Sequence, residues 1–235
     1  MSATVRTVSY PTGGEHKSLD VYNSPRGDGV YVLLWHGVGP DERGEVSPLA
    51  RDIAASGPTV LVPDWRSDTP DVGRAHLTDS LRFAREFAGA SGRLVVAGWS
   101  AGAGAALGVA LDPGFCDGPP PAAVVGIAGG YRRPARTTGV VPLDALGGTT
   151  ARVPVRLVHG TRDAAVPVES SRELHEALLA RGWDASLSEP VTDHAGVLGC
   201  VYDPGAGRCV QAADAAVRAV GRATAEVVAA VARPA

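Results

Sequence analysis

The stretch "LVVAGWSAGAG", residues 94–104, places Ser100 with a glycine two positions to either side, Gly98 and Gly102. Leu94, Val95, Val96 and Ala97 form an unbroken apolar run, as expected of a strand covered on both faces. The small residues after Ser100 suit a helix packed closely on a sheet. A strand that turns sharply into a helix, holding one side chain at the apex, needs such glycines because the backbone folds back where a Cβ would stand. With 30 glycines in 235 residues the five-residue pattern also arises by chance. Alone, it is compatible with a tight turn that does no chemistry.

Working outward, strand and helix patterns alternate. Residues 4–10 ("TVRTVSY") and 18–24 ("SLDVYNS") read as an antiparallel hairpin joined by "PTGGEHK". The runs "VYVLLWHG" (30–37), "PTVLVPDW" (58–65), "RLVVAGWS" (93–100), "AAVVGIAGG" (122–130), "VPVRLVHGTRD" (153–163) and "DASLSEPV" (184–191) read as further strands. Between them lie helical patterns at 47–57, 72–92, 100–111 and 167–182, with an Ala/Val-rich helix at about 211–231. Ser47 is the expected N-cap of the first, with Pro48 in its first turn and Gly57 closing it. Leu174, Leu178 and Leu179 are expected on one face of the fourth. Residues 130–151 are irregular, a short cap-like segment too small for a lid domain. The fold class is therefore α/β: one domain over 1–235, with a mostly parallel central sheet and helices on both faces.

Composition narrows the function classes. Hydrophobic residues make up 45% and charged residues 20%, as in ordinary globular proteins, and the formal net charge is −3. Nothing there calls for nucleic acid or an anionic membrane as partner. Lys17 is the only lysine. The N-terminus lacks a basic segment followed by an apolar run, and no window approaches 18 consecutive apolar residues, so a cytoplasmic protein is expected. Three cysteines are too few for a disulfide framework. Cys116 reads as a free thiol. Cys200 and Cys209 bracket a turn-rich loop and are either a local disulfide or two reduced thiols. Cys/His spacings for a metal are absent, and no cofactor is implied. The oligomeric state stays open.

In a parallel sheet the carboxyl ends of the strands share one edge, and ligands sit beyond it. Polar residues collect there: His36-Gly37-Val38-Gly39, Asp64-Trp65, Ser100, and His159 to Asp163, with His194 after the last strand. Serine, acid and histidine thus follow in the chain order Ser100, Asp163, His194. These residue types suit acyl transfer. A serine hydroxyl is a poor nucleophile until an imidazole accepts its proton, and an acid that holds the imidazole fixes its tautomer. Backbone N–H groups usually stabilise the resulting oxyanion. Ala101 and Val38 are the candidates.

On "SLDVYNSP", "VLLWHGVG", "LVPDWRSD", "VVAGWSAGAG", "VRLVHGTRDAAVPVESSREL" and "DHAGVL", the chain resembles the α/β-hydrolases of the carboxylesterase/lipase type over most of residues 18–198. The resemblance implies Ser100 as nucleophile, Asp163 as acid and His194 as general base. It departs from the hormone-sensitive-lipase-like branch, which carries a triple glycine after the histidine where this chain has Gly37-Val38-Gly39. The expectation is a serine hydrolase of small to medium carboxylic esters, its partner a small-molecule ester or acyl substrate. Formamidase, thioesterase, acyl-transfer or cyclising chemistry on the same triad, and a non-catalytic binding protein of the same fold, remain alternatives.

Other readings compete residue by residue. Asp163 also fits a turn-capping aspartate, with Asp193 and Asp203 as rivals for the acid role. His36 and His159 are expected to brace strand-end turns. Gly39, Trp65, Trp99 and Tyr131 are candidates to line the pocket, although aromatics at strand ends usually serve packing. The basic run "YRRPAR" (131–136) is either a solvated loop or a group that orients an acidic substrate.

Overall fold

The computed structural model describes residues 3–24, 29–90, 92–112, 114–115, 118–148 and 152–233. Cys116 and the last residues of the cap-like segment, 149–151, lie outside the described residues.

The chain begins with the expected hairpin, β1 (Thr4–Thr12) and β2 (Glu15–Asn23), longer than the apolar pattern indicates. Its turn tightens to Gly13 and Gly14, at φ 55° and 86°, the left-handed pair that a two-residue hairpin turn demands. The remaining strands are β3 (Val30–Trp35), β4 (Thr59–Pro63), β5 (Arg93–Trp99), β6 (Ala123–Ile127), β7 (Val155–Val158) and β8 (Ala185–Ser188). They form one eight-stranded sheet in the order β1-β2-β4-β3-β5-β6-β7-β8. It is parallel from β4 to β8, and β2 runs antiparallel to β4. The central strands β3, β5 and β6 are almost wholly buried, which explains why their sequences run apolar without alternation.

Two layers of helices cover the sheet. On one face α1 (Arg43–Ala55) and α6 (Ala215–Ala232) bury Val46, Leu49, Ile53 and Val228. On the other, α2 (Arg74–Ala88), α3 (Ala101–Leu111), the single-turn α4 (Pro142–Ala145) and α5 (Glu169–Leu179) bury Leu77, Leu81, Leu107 and Leu174. The segment after β6 lies against α3. A Cβ on Gly108 would stand 2.7 Å from both the Ala135 methyl and Thr137 Oγ1, and Thr137 donates to the Ala105 carbonyl at 2.8 Å. Among the described residues no helix is long and apolar enough to cross a membrane.

Three local expectations are corrected. α1 begins at Arg43, so Ser47 is not its N-cap and Pro48 sits inside the helix. Burial of Val46 together with Leu49, Ala50 and Ile53 compensates for the hydrogen bond that a proline in the helix cannot make. Leu179 is 50% exposed while Leu174 and Leu178 are buried, because one residue beyond Leu178 the helix has turned about 100° away from the core. The last helix starts at Ala215, capped by Asp214 Oδ1 accepting from the Ala216 N–H at 2.7 Å. Ahead of it, β9 (Cys200–Asp203) and β10 (Arg208–Gln211) form a separate hairpin. Cys200 faces Gln211 and Cys209 faces Tyr202, so the thiols sit diagonally rather than opposite, and both are free.

Candidate active site

The turn at Ser100 is built by its neighbours. Ser100 has φ 55° and ψ −118°, a left-handed conformation that a residue with a side chain adopts only when its surroundings impose it. A Cβ on Gly98 would lie 2.1 Å from the Gly102 carbonyl oxygen, and one on Gly102 would lie 2.5 Å from the carbonyls of both Trp35 and His36. Both glycines are therefore required: the first lets α3 fold back on β5, the second lets α3 begin against the end of β3. The Ser100 N–H donates to the Ile127 carbonyl of β6 at 2.8 Å, which pins the apex to the sheet. Ala101 is the first residue of α3, so its N–H belongs to the helix's unsatisfied first turn, the positive end of the helix dipole.

Asp163 follows β7, and its two oxygens are divided. Oδ1 accepts from the backbone N–H groups of Ala165 and Val166 at 2.8 Å each, so the turn-capping reading is correct. Oδ2 accepts from His194 Nδ1 at 2.6 Å, so the imidazole-holding arrangement is present as well. His159 Nε2 stands 3.2 Å from the same Oδ2 and 2.9 Å from the Val166 carbonyl. Two acceptors at Nε2 place its proton there, leaving Nδ1 to accept from Ser171 Oγ at 2.7 Å. Burial of the Asp163 carboxyl opposes its ionisation. Hydrogen bonds from His159, His194 and the Val166 amide outweigh that and hold it well below the usual carboxylate range. It is an anion at any pH near neutral.

His194 is held from two sides. Asp163 fixes Nδ1, which leaves Nε2 as the free nitrogen, and the side chain is 19% exposed. The Trp99 ring lies 4.9 Å from the imidazole at 39°, and Trp99 Nε1–H donates to the His194 backbone carbonyl at 3.0 Å. The loop carrying His194 approaches β7 closely because residue 160 is glycine: a Cβ there would stand 2.4 Å from the Thr192 carbonyl. The rival acids are engaged elsewhere. Asp193 Oδ1 accepts from the Gly196 N–H at 2.8 Å, and Asp203 Oδ1 from the Gly205 N–H at 2.8 Å in the β9–β10 turn. Ser100 Oγ makes no hydrogen bond to a described residue, so the acid–imidazole link is formed and the imidazole–hydroxyl link is not. Such links commonly tighten only when substrate binds.

The expected pocket residues separate. Val38 is 51% exposed at the rim, and its carbonyl accepts from Ser67 Oγ at 2.5 Å. Gly39 accommodates Glu42, whose Oε1 stands 2.2 Å from where a Cβ would be, and Glu42 Oε2 is buried 3.7 Å from His36 Nδ1 with no hydrogen bond to a described residue. Trp65 and Tyr131 are fully buried. Trp65 stacks on His36 at 5.4 Å and 21°, while the Tyr131 hydroxyl fills the space against Gly126 and Gly129. Aromatic bulk at a strand end served packing in both cases. Trp99 is almost buried too, and its work is to seat His194. His36 braces its turn as expected, accepting from the Trp65 N–H at 3.4 Å and facing the Gly37 carbonyl at 3.2 Å.

A cavity of about 610 Å³ lies at the opposite edge of the sheet, lined by Leu81, Arg85, Arg93 and Pro119 among others, and has no part in this arrangement. Among the described residues no three His, Cys, Asp or Glu side chains converge as a metal site would need.

No protein-family model matches the chain, and no curated protein matches it in sequence. Solved structures do. The esterase domain of a Rhodothermus marinus protein superposes with a TM-score of 0.69 at 19% identity, covering 97% of each chain. A thermostable esterase from Pseudomonas putida gives 0.72 at 17% identity, over 99% of this chain and 84% of that one. An esterase from Pyrococcus furiosus gives 0.64 at 17% identity, over 83% and 84%. With its sheet order, its serine turn after β5 and these near full-length superpositions, the chain has the α/β-hydrolase fold.

Proposed function

We propose that the protein is a serine hydrolase that cleaves carboxylic esters of small to medium-sized acids and alcohols through an acyl-enzyme. The observation that carries the reading is the 2.6 Å bond from His194 to Asp163, beside a serine held in strained left-handed backbone. Ser100 Oγ attacks the ester carbonyl as His194 Nε2 takes its proton. Asp163, ionised and buried, holds the other ring nitrogen and stabilises the imidazolium. The N–H groups of Ala101 and Val38 receive the oxyanion. His194 then returns the proton to the departing alcohol. A water, deprotonated by the same nitrogen, releases the acid and restores Ser100.

That the three superposed structures are all described as esterases supports the choice of ester over other acyl chemistry. The segment after β6 is short and packs on α3, which supports soluble substrates over long-chain triglycerides held under a large lid. The free thiols of Cys200 and Cys209 support a reducing, cytoplasmic setting.

The test is labelling by a fluorophosphonate probe. Wild-type protein should label and S100A should not. Folded wild-type protein that neither labels nor hydrolyses p-nitrophenyl esters would make it a binding protein instead. Formyl-amide and thioester substrates run beside the esters separate the remaining acyl chemistries: faster turnover of either displaces the ester reading.

A further inference from the structure

The proposed triad does not use the basic run at 131–136. Arg136 is half-buried and no described carboxylate lies within salt-bridge distance of it. Its guanidinium sits 6.0 Å above the Trp65 ring, and Nη1 donates to the Val72 carbonyl at 3.3 Å. Burial, and behind it the neighbouring charge of Arg133, lowers its affinity for a proton. A half-buried cation, beside a like charge and without a carboxylate partner among the described residues, costs stability unless something compensates.

The surroundings hold that cation in place. Val72 has φ 54°, which for a β-branched residue is a strained conformation, and it turns the accepting carbonyl toward Arg136. Trp65 is fully buried, and its indole N–H has no acceptor among the described residues. The same ring stacks on His36, whose next two residues lead to Val38, while Ser67 bonds the Val38 carbonyl. Arg136 is thus joined through one aromatic ring and one short loop to the turn that carries a candidate oxyanion donor.

We infer that Arg136, with Arg133 beside it, is an anion subsite of the cleft that selects esters carrying a second, ionised carboxylate. This rests on the hydrolase reading above. A planar guanidinium fixed on one edge and one face keeps its remaining N–H groups for the two oxygens of a carboxylate. A neutral ester leaves that charge unpaired.

Two matched pairs test it: p-nitrophenyl hydrogen adipate against its methyl ester, and 4-acetoxybenzoate against its methyl ester. They place the carboxylate on the acyl and leaving-group sides respectively. Wild-type kcat/KM should favour the anionic member of one pair, and R136Q should reduce that ratio roughly tenfold. R136K, which keeps the charge but not the fork, should retain part of the preference. If R136Q does not fold, the wild-type preference is read against sodium chloride and should shrink as salt rises. Equal kcat/KM within both pairs, or a preference that survives R136Q, overturns the subsite. Wild-type protein that turns over neither member of either pair and resists fluorophosphonate overturns the hydrolase reading instead.

Discussion

The Trp99 ring stands 4.9 Å from the imidazole of His194, and its indole N–H bonds the His194 carbonyl at 3.0 Å. The residue before the serine therefore seats the imidazole that the proposed mechanism uses to accept the serine's proton. Trp99→Phe keeps much of the ring contact and removes the hydrogen bond. Losing that bond should cost about 1 kcal/mol of stability. The looser imidazole should lower kcat by about tenfold, because small misplacements of a reacting group are expensive. Steady-state kinetics beside urea denaturation checks both; unchanged kcat would leave Trp99 a packing residue only.

Removing the imidazole should be more severe and less structural. His194 is partly exposed on a loop, so His194→Ala should fold while kcat drops by at least about a thousandfold. Full turnover in a folded H194A protein would exclude it as the base.

Asp163→Asn separates two tasks. The amide's oxygen still caps Ala165 and Val166, but its NH2 now faces His194 Nδ1 and favours the wrong tautomer. A loss of about 10⁴-fold in kcat is expected, with a folded protein. The pH dependence of stability follows from the depressed carboxyl. In the unfolded chain the group takes up its proton near pH 4, while the folded protein keeps it ionised to lower pH. Its stabilising contribution is therefore complete above about pH 5 and fades as pH falls further. Urea midpoints measured from pH 7 to pH 3 should differ by a fixed gap above about pH 5 and by a narrowing one below it for wild-type and D163N; a constant gap throughout would mean that the charge contributes nothing.

The glycines of α3 should differ sharply. Gly102→Ala drives a methyl to 2.5 Å from two backbone carbonyls, and a loss of about 3 kcal/mol or more is expected. Gly104→Ala meets only the Gly130 carbonyl at 3.3 Å and should be near neutral, since alanine favours a helix by about 0.5–1 kcal/mol. Thermal melts of the pair decide it.

Tyr131, offered by the sequence as a pocket residue, is instead core. Tyr131→Ala should cost about 3–5 kcal/mol and leave the order of preference among p-nitrophenyl esters of rising acyl length unchanged. A changed order would return it to the pocket.

Much of this was legible in the chain because apolar runs report burial and strand ends report the edge of a parallel sheet. Gly98, Ser100 and Gly102 encode their turn in residue type alone. Pairing Asp163 with His194 needed only their order after the strands. What stayed hidden depends on neighbours distant in sequence. Trp65 and Tyr131 look identical to pocket aromatics until the elements covering them are known. β9 and β10 are four residues each, with too little periodicity to tell from a loop. That no carboxylate among the described residues pairs with Arg136 depends on which distant acids do not reach it, and no local pattern carries that.

The strand order β4-β3-β5 means that the chain winds one way from β3 and the other way after β4. The loop leaving β3 heads toward the α1 face and the loop leaving β5 toward the α2–α3 face, so two adjacent strand ends part company. That divergence is a gap made by connectivity, and no side chain has to prop it open. The superposed structures match fewer than one residue in five, and the fold that makes this gap is kept.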